Sequence, residues 1–174
     1  SFIAKIINCK SIILIEDDFD IIKITSYVGY PFANYILCPS VCRTSHFDKK
    51  SIKYDSYHEL AYLHPNHFIP NELIASKYVN IKEPYFIIRL ARLSAHHDHG
   101  IRGIDNNLLH LIINLLSKYG RVYITNERKI GNKFDKYIIN IDPIDIHHIM
   151  AYANLYIGDS QTMAAESGVL GIPF

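Results

Sequence analysis

Apolar residues along this chain fall into short blocks whose spacing switches between two periods. Ser11 to Ile15 is a continuous β-branched run closed by Glu16-Asp17-Asp18, the pattern of a strand buried in a parallel sheet. Ile21, Ile22, Thr25 and Val28 then recur at helical spacing, with Asp18 placed to cap the helix and Gly29 to stop it before Pro31. Asn34 to Cys38, ended by Pro39, and Ile52 to Asp55 read as two further strands. Between about Tyr57 and Pro84 the texture changes. Pro65, Pro70 and Pro84 interrupt the pattern, and only Asn71 to Tyr78 has the makings of a helix. Residues 57–83 are therefore expected to be an interdomain connector, with 1–56 the C-terminal part of a first Rossmann-like domain.

The pattern after Pro84 is cleaner. Tyr85 to Leu90 is strand-like, and His96 to Gly103 is a polar loop. Asp105 or Asn106 can cap a helix whose apolar stripe is Leu108, Leu109, Ile112, Ile113, Leu115 and Leu116, ended by Gly120. Strands follow at Arg121–Thr125, Tyr137–Ile141 and Leu155–Gly158. Helices are expected from Pro143, burying Ile146, Ile149, Met150 and Ala153, and from Ser160 to Leu170. His147 and His148 lie off that buried face, so one or both are expected to be exposed. Four β–α units with short connections predict an α/β fold, a Rossmann-like parallel sheet with helices on both faces over 84–174. The chain has no initiator Met, and an apolar segment is opening at Gly171-Ile-Pro-Phe174; both units are expected to be truncated.

Composition narrows the partners. The 174 residues are 49% hydrophobic and 20% charged, with a net charge of +1. That excludes a disordered chain and a strongly basic nucleic-acid binder, and no basic–aromatic interleaving suggests a single-strand platform. No apolar run approaches the roughly 18 residues of a membrane span, which leaves peripheral membrane association open. Cys9, Cys38 and Cys42 are an odd count without a C-x-x-C pair, so free thiols and a cytoplasmic, reducing location are expected.

Chemistry concentrates in Leu155-Tyr-Ile-Gly-Asp-Ser-Gln-Thr-Met-Ala-Ala-Glu-Ser-Gly-Val-Leu-Gly-Ile-Pro173, which reads as strand, tight turn and helix. Gly158 permits the turn. Asp159, Ser160 and Thr162 place hydroxyls and free N–H groups at a helix N-terminus, a natural anion site, or else simply cap the helix. Glu166 lies a turn further in, at reach of a sugar hydroxyl if it is not a solvated surface residue.

Gly-Asp-Ser-x-Thr-Met-x-x-Glu-x-x-x-Leu-Gly-x-Pro resembles the nucleotide-diphosphate motif in the C-terminal domain of GT-B-fold proteins. The likeness is to an uncharacterised bacterial and archaeal family related to UDP-N-acetylglucosamine 2-epimerases and GT-B glycosyltransferases. Tyr57-His-Glu-Leu-Ala-Tyr-Leu-His-Pro65, the Arg89 strand, His97-Asp98-His99-Gly100 and Ile141-Asp-Pro-Ile-Asp-Ile-His147 carry it further. The resemblance implies a GT-B-like pair of Rossmann-like units. It implies a UDP-linked nucleotide-sugar substrate with no separate cofactor, and an acceptor the sequence does not name. Gly158, Ser160, Gln161 and Thr162 would face the diphosphate, and Glu166 the ribose hydroxyls. Residues 141–144 would lie against the base, and Arg89 and the loop 94–100 would face the interdomain cleft. Where the epimerases have two glycines after the Ser, this chain has Gln161 and Thr162, whose side chains restrict backbone approach to the phosphates.

Two polar clusters remain. His96-His97-Asp98-His99 could in principle hold a divalent ion, but four consecutive residues rarely converge on one metal and no partner motif is evident, so no metal is expected. A phosphate or sugar contact, or acid–base work by one member, suits histidine better, with His97 and Asp98 the preferred candidates, or else the four form only a polar surface loop. Glu16 and Asp18 sit where a parallel strand ends and catalysis is expected, or they serve only as capping and solvated residues. Tyr62 and His64 read as packed connector residues in preference to cleft residues. The readings carried forward are a nucleotide-sugar-dependent glycosyltransferase of surface polysaccharide or glycoconjugate synthesis, a UDP-sugar 2-epimerase, and a non-catalytic nucleotide-binding module.

Overall fold

A computed structural model describes residues 1–92 and 103–174 of the chain. They form two compact units, Ser1–Ala61 and Tyr62–Phe174. The boundary falls inside α3 (Leu60–Leu63).

The first unit contains α1 (Phe2–Ile6), β1 (Ile12–Leu14), α2 (Lys23–Gly29), β2 (Tyr35–Pro39) and β3 (Ser51–Tyr54). Its three strands are parallel in the order β1-β2-β3, with Ile12 opposite Tyr35 and Leu37 opposite Ile52. Because side chains alternate across a strand, this register sorts the apolar residues onto two faces. Ile15, Phe19, Tyr30, Ile36, Cys38 and Cys42 form the core, with Ile13 packed against it. Ile12, Leu14, Tyr35 and Ile52 lie on the opposite face and are exposed. The β1 run is therefore not buried on both sides: α2 covers only the Ile13 face, where the Ile13 side chain reaches Gly29. Cys38 and Cys42 are buried free thiols, each made harder to ionise chiefly by its burial, and Cys9 is exposed.

The second unit contains α4 (Glu72–Ala75), β4 (Tyr85–Leu90), α5 (Asn106–Leu116), β5 (Arg121–Asn126), α6 (Ile146–Met150), β6 (Leu155–Gly158) and α7 (Gln161–Val169). Its sheet is parallel in the order β5-β4-β6. Two backbone contacts extend it. Ile138 bridges Ile124 beyond β5, and Tyr156 N donates to Pro173 O beyond β6. The strand expected at 137–141 is thus reduced to a bridge, since a 3-10 turn occupies Asn132–Tyr137 and brings the chain to the edge late. The spatial order is residue 138, β5, β4, β6, residue 173, so the direction of winding reverses at β4, as in a doubly wound sheet.

β4 is the strand most completely enclosed. Phe86, Ile88 and Leu90 pack into one cluster with Leu109, Ile113 and Leu116 of α5. Tyr85 and Ile87 pack into the other, with Ile149 and Met150 of α6 and with Ala75 and Val79. The last pair comes from the stretch expected to be a connector; residues 72–79 instead form part of this core. Asn71 holds α4 in place, its side-chain oxygen accepting from Leu73 N and Ile74 N. Asp105 caps α5 in the same way, accepting from Asn107 N and Leu108 N, and these two bonds hold its carboxyl below the usual range. The buried stripe of α5 is narrower than expected: Leu108 and Leu115 face outward. Among the described residues, no helix is long and apolar enough to cross a membrane.

Candidate functional site in the second unit

The carboxyl ends of β4 and β5 open onto a pocket of about 280 Å³. Parallel sheets bind ligands at this end, where the strand order reverses. Arg89 and Thr125 are opposite each other in the β4–β5 ladder and both line the pocket. Each carries a buried polar atom without a hydrogen-bond partner, Arg89 Nε and Thr125 Oγ1. Unsatisfied buried polar atoms are costly, by roughly 1–3 kcal/mol each, and two side by side in a concave site mark a place for a polar ligand atom. The Arg89 guanidinium is steadied by Glu127, which accepts from its Nη2 and from Arg92 N. Ile139, Ile141, Pro143, Ile146 and Met163 supply apolar walls and Asn126 and Asn140 further polar groups, a composition typical of small-molecule sites.

Beside it, β6 runs into α7 through Gly158 and Asp159. Gly158 has no room for a side chain: a Cβ there would lie 2.6 Å from Tyr156 Oη, 2.8 Å from Arg89 O and 2.9 Å from Arg89 Cβ. Its smallness serves the close approach of β6 to β4. Asp159 does not cap α7. Its carboxylate accepts from Ala91 N, from Ile104 N at 3.2 Å and from Arg128 Nη2 at 2.8 Å. Arg128 in turn donates to Ala91 O and Ile104 O. Ser160 is the cap, with Oγ accepting from Met163 N at 3.4 Å. Gln161 and Thr162 open the helix with exposed side chains.

Glu166 lies one turn past Met163 on α7 and is buried, 7% exposed, not solvated. Tyr62 Oη donates to its Oε1 at 2.9 Å, and His147 Nε2 lies 3.0 Å from the same oxygen. The second contact has ion-pair distance without hydrogen-bond alignment. Burial pushes the Glu166 carboxyl upward, but His147 and Tyr62 outweigh it and leave it below its ordinary value. A buried carboxylate without partners would neutralise instead. The expectation of exposed histidines on α6 fails: both are half-buried. His148 stacks on Phe68 with ring centroids 4.9 Å apart, and its Nδ1 accepts from Asn71 N. Sequence reading missed Tyr62 and His147 as partners of Glu166. The one available signal was their place within the two stretches that carried the resemblance.

The first-unit candidates have internal partners. Glu16 Oε1 accepts from His58 N at 2.7 Å and lies 3.1 Å from His58 Nδ1. Asp18 does not cap α2, whose preceding residue Ile22 provides no side-chain cap. It accepts instead from Arg43 N, Nε and Nη2, and these bonds hold its carboxyl below the usual range, the backbone one most strongly. The structure thus brings Arg89 to the pocket and Gly158, Ser160, Gln161, Thr162 and Glu166 to the adjoining turn and helix; Glu16 and Asp18 belong to the other unit. His97 and Asp98 lie outside the described residues. No family model and no curated protein sequence matches the chain.

Proposed function

We propose that the second unit binds the nucleotide of a UDP-linked sugar and that the chain is a GT-B-type, glycosyltransferase-like protein of surface polysaccharide or glycoconjugate synthesis. The observation that carries this reading is the pocket at the strand-order reversal, with Arg89 Nε and Thr125 Oγ1 unpartnered at its polar side. Apolar walls from Ile141, Pro143 and Ile146 suit a flat base. The N-terminus of α7 beside it, capped by Ser160, offers backbone N–H groups to phosphate oxygens. Glu166, ionised and on the same helix, supplies an acceptor for ribose hydroxyls. Stabilisation of a departing diphosphate by the helix terminus and Arg89 is the chemistry such a site would contribute.

A second reading, a nucleotide-binding module without turnover, draws support from Glu16 and Asp18. Both candidate bases are engaged by partners of their own unit, His58 and Arg43. Calorimetric titration of the 174-residue chain with UDP tests the common core of both readings. Saturable binding that Glu166→Ala weakens at least tenfold is expected. Absence of binding by UDP and by other nucleoside diphosphates overturns them. Turnover of a UDP-sugar that survives in Glu16→Gln and Asp18→Asn removes those two residues from the chemistry.

A further inference from the structure

Resting on the nucleotide reading, we infer that Tyr62 and His147 are positioning residues that fix Oε1 of Glu166 and leave Oε2 to accept from a ribose diol, so that the site selects ribonucleotides over deoxyribonucleotides.

The geometry is specific about which oxygen is used. Tyr62 Oη and His147 Nε2 both address Oε1, at 2.9 and 3.0 Å. Oε2 carries neither contact. A hydrogen bond from Tyr62 on α3 and a charge contact from His147 on α6 both hold Oε1, which restricts the rotation of the carboxylate. An unanchored Glu on a helix surface would lose rotamer freedom on ligand binding. The anchors are held in turn. The Tyr62 and His147 rings lie 5.7 Å apart, and Phe68 meets His147 edge-on at 6.0 Å. Phe68 also stacks on His148, whose Nδ1 is tied to Asn71 N. Three segments distant in sequence, Tyr62–Asn71, α6 and α7, are thereby committed to the orientation of one carboxylate. Such commitment exceeds what capping or packing of a surface helix requires.

Vicinal hydroxyls need an ionised acceptor held in place; a site built to hydrogen-bond a hydroxyl strongly rejects the analogue that lacks it. His147 stands beside pocket residue Ile146, and Glu166 is one turn from pocket residue Met163, so both belong to the elements that wall the pocket.

The test is titration of the full chain with UDP and with 2′-deoxy-UDP, for wild type, Tyr62→Phe, His147→Ala and Glu166→Gln. Wild type is expected to prefer UDP by about tenfold or more, the scale of one hydrogen bond to a charged group. Tyr62→Phe and His147→Ala are each expected to lose several-fold in UDP affinity while 2′-deoxy-UDP affinity stays within about twofold, so the preference collapses toward that of Glu166→Gln. A purely structural role would weaken both ligands together and leave the preference intact, and that result overturns the inference. Tyr62→Phe removes a single oxygen and retains the ring, so it reads the effect even where His147→Ala does not fold. Equal affinity of wild type for the two ligands would overturn the inference while leaving the nucleotide reading standing. Failure of wild type to bind either ligand would overturn both.

Discussion

Each unit holds an aspartate–arginine pair just past a strand, and the two pairs differ in what surrounds them. Asp18 follows β1 and accepts from the backbone N, Nε and Nη2 of Arg43. Asp159 follows β6 and accepts from two backbone N–H groups and from Arg128. The side chains of the first pair are 30% and 71% exposed, those of the second 9% and 24%. In the first, water screens the attraction, and bidentate geometry contributes little. In the second, the carboxylate is almost wholly buried and the guanidinium largely so, and Arg128 and Asp159 together join Ala91 to Ile104. The same contrast runs through the sheets. β4 is enclosed on both faces, whereas Ile12, Leu14, Tyr35 and Ile52 leave one face of the first sheet bare. Unpartnered buried polar atoms occur in both units, at Ser26 Oγ, Tyr30 Oη, Tyr54 Oη and His58 Nε2 in the first; Arg89 Nε and Thr125 Oγ1 stand out as a site because they are paired across β4 and β5 and line one pocket.

The comparison breaks most sharply at the buried pair. Asp159→Ala strands Arg128 and two backbone donors, and a loss of about 3–5 kcal/mol is expected, read as faster amide hydrogen exchange across β4–β6. The matching change Asp18→Ala is expected to cost no more than about 1 kcal/mol at β1–β3. Equal losses would show that exposure does not separate the pairs. Glycines give the next contrast. Gly158→Ala drives a Cβ into Arg89 backbone at 2.8 Å and is expected to cost about 1–3 kcal/mol. Gly29→Ala meets only the flexible tip of Ile13 at 3.3 Å in a helical backbone, and up to about 1 kcal/mol of stabilisation is expected. Exchange rates of β6 and α2 amides in the two variants check both signs.

What was legible beforehand tracks how local the determinants are. β4, β5, β6, α5 and α7 announce themselves through period and punctuation, and Gly158, Ser160 and Glu166 through a strand–turn–helix read within a dozen residues. A cap is a local inference and fails for Asp18, whose actual partner Arg43 is 25 residues away. The partners of Glu166 were beyond reach for the same reason: Tyr62 is 104 residues distant, and nothing local pairs them. Residues 72–79 read as linker from sequence because the flanking prolines, Pro70 and Pro84, and the polar residues around them outweigh two buried positions, Ala75 and Val79, whose burial only tertiary packing reveals.

Acid sharpens the comparison by its smallest effect. Asp18 and Glu166 both have folded-state pKa values below the ordinary carboxylate range, Asp18 through Arg43 and Glu166 through His147 and Tyr62 against its own burial. A depressed carboxyl pKa contributes stability that is complete above the unfolded-state value and is lost as the pH falls through the folded-state value. Both contributions are therefore intact at neutral pH and decline below about pH 4. Asp18→Asn is expected to flatten this acid limb for β1–β3 amides alone, by an amount under about 1 kcal/mol given the exposure of Arg43. Glu166→Gln is expected to flatten it for α7 and β6 amides and leave β1–β3 unchanged. Hydrogen exchange followed between pH 3 and 6, corrected for intrinsic rates, separates the two. A limb that flattens in both regions for either variant would mean that the two carboxylates report on one shared unfolding step, and the distinction drawn between the units would then lie in structure alone, not in stability.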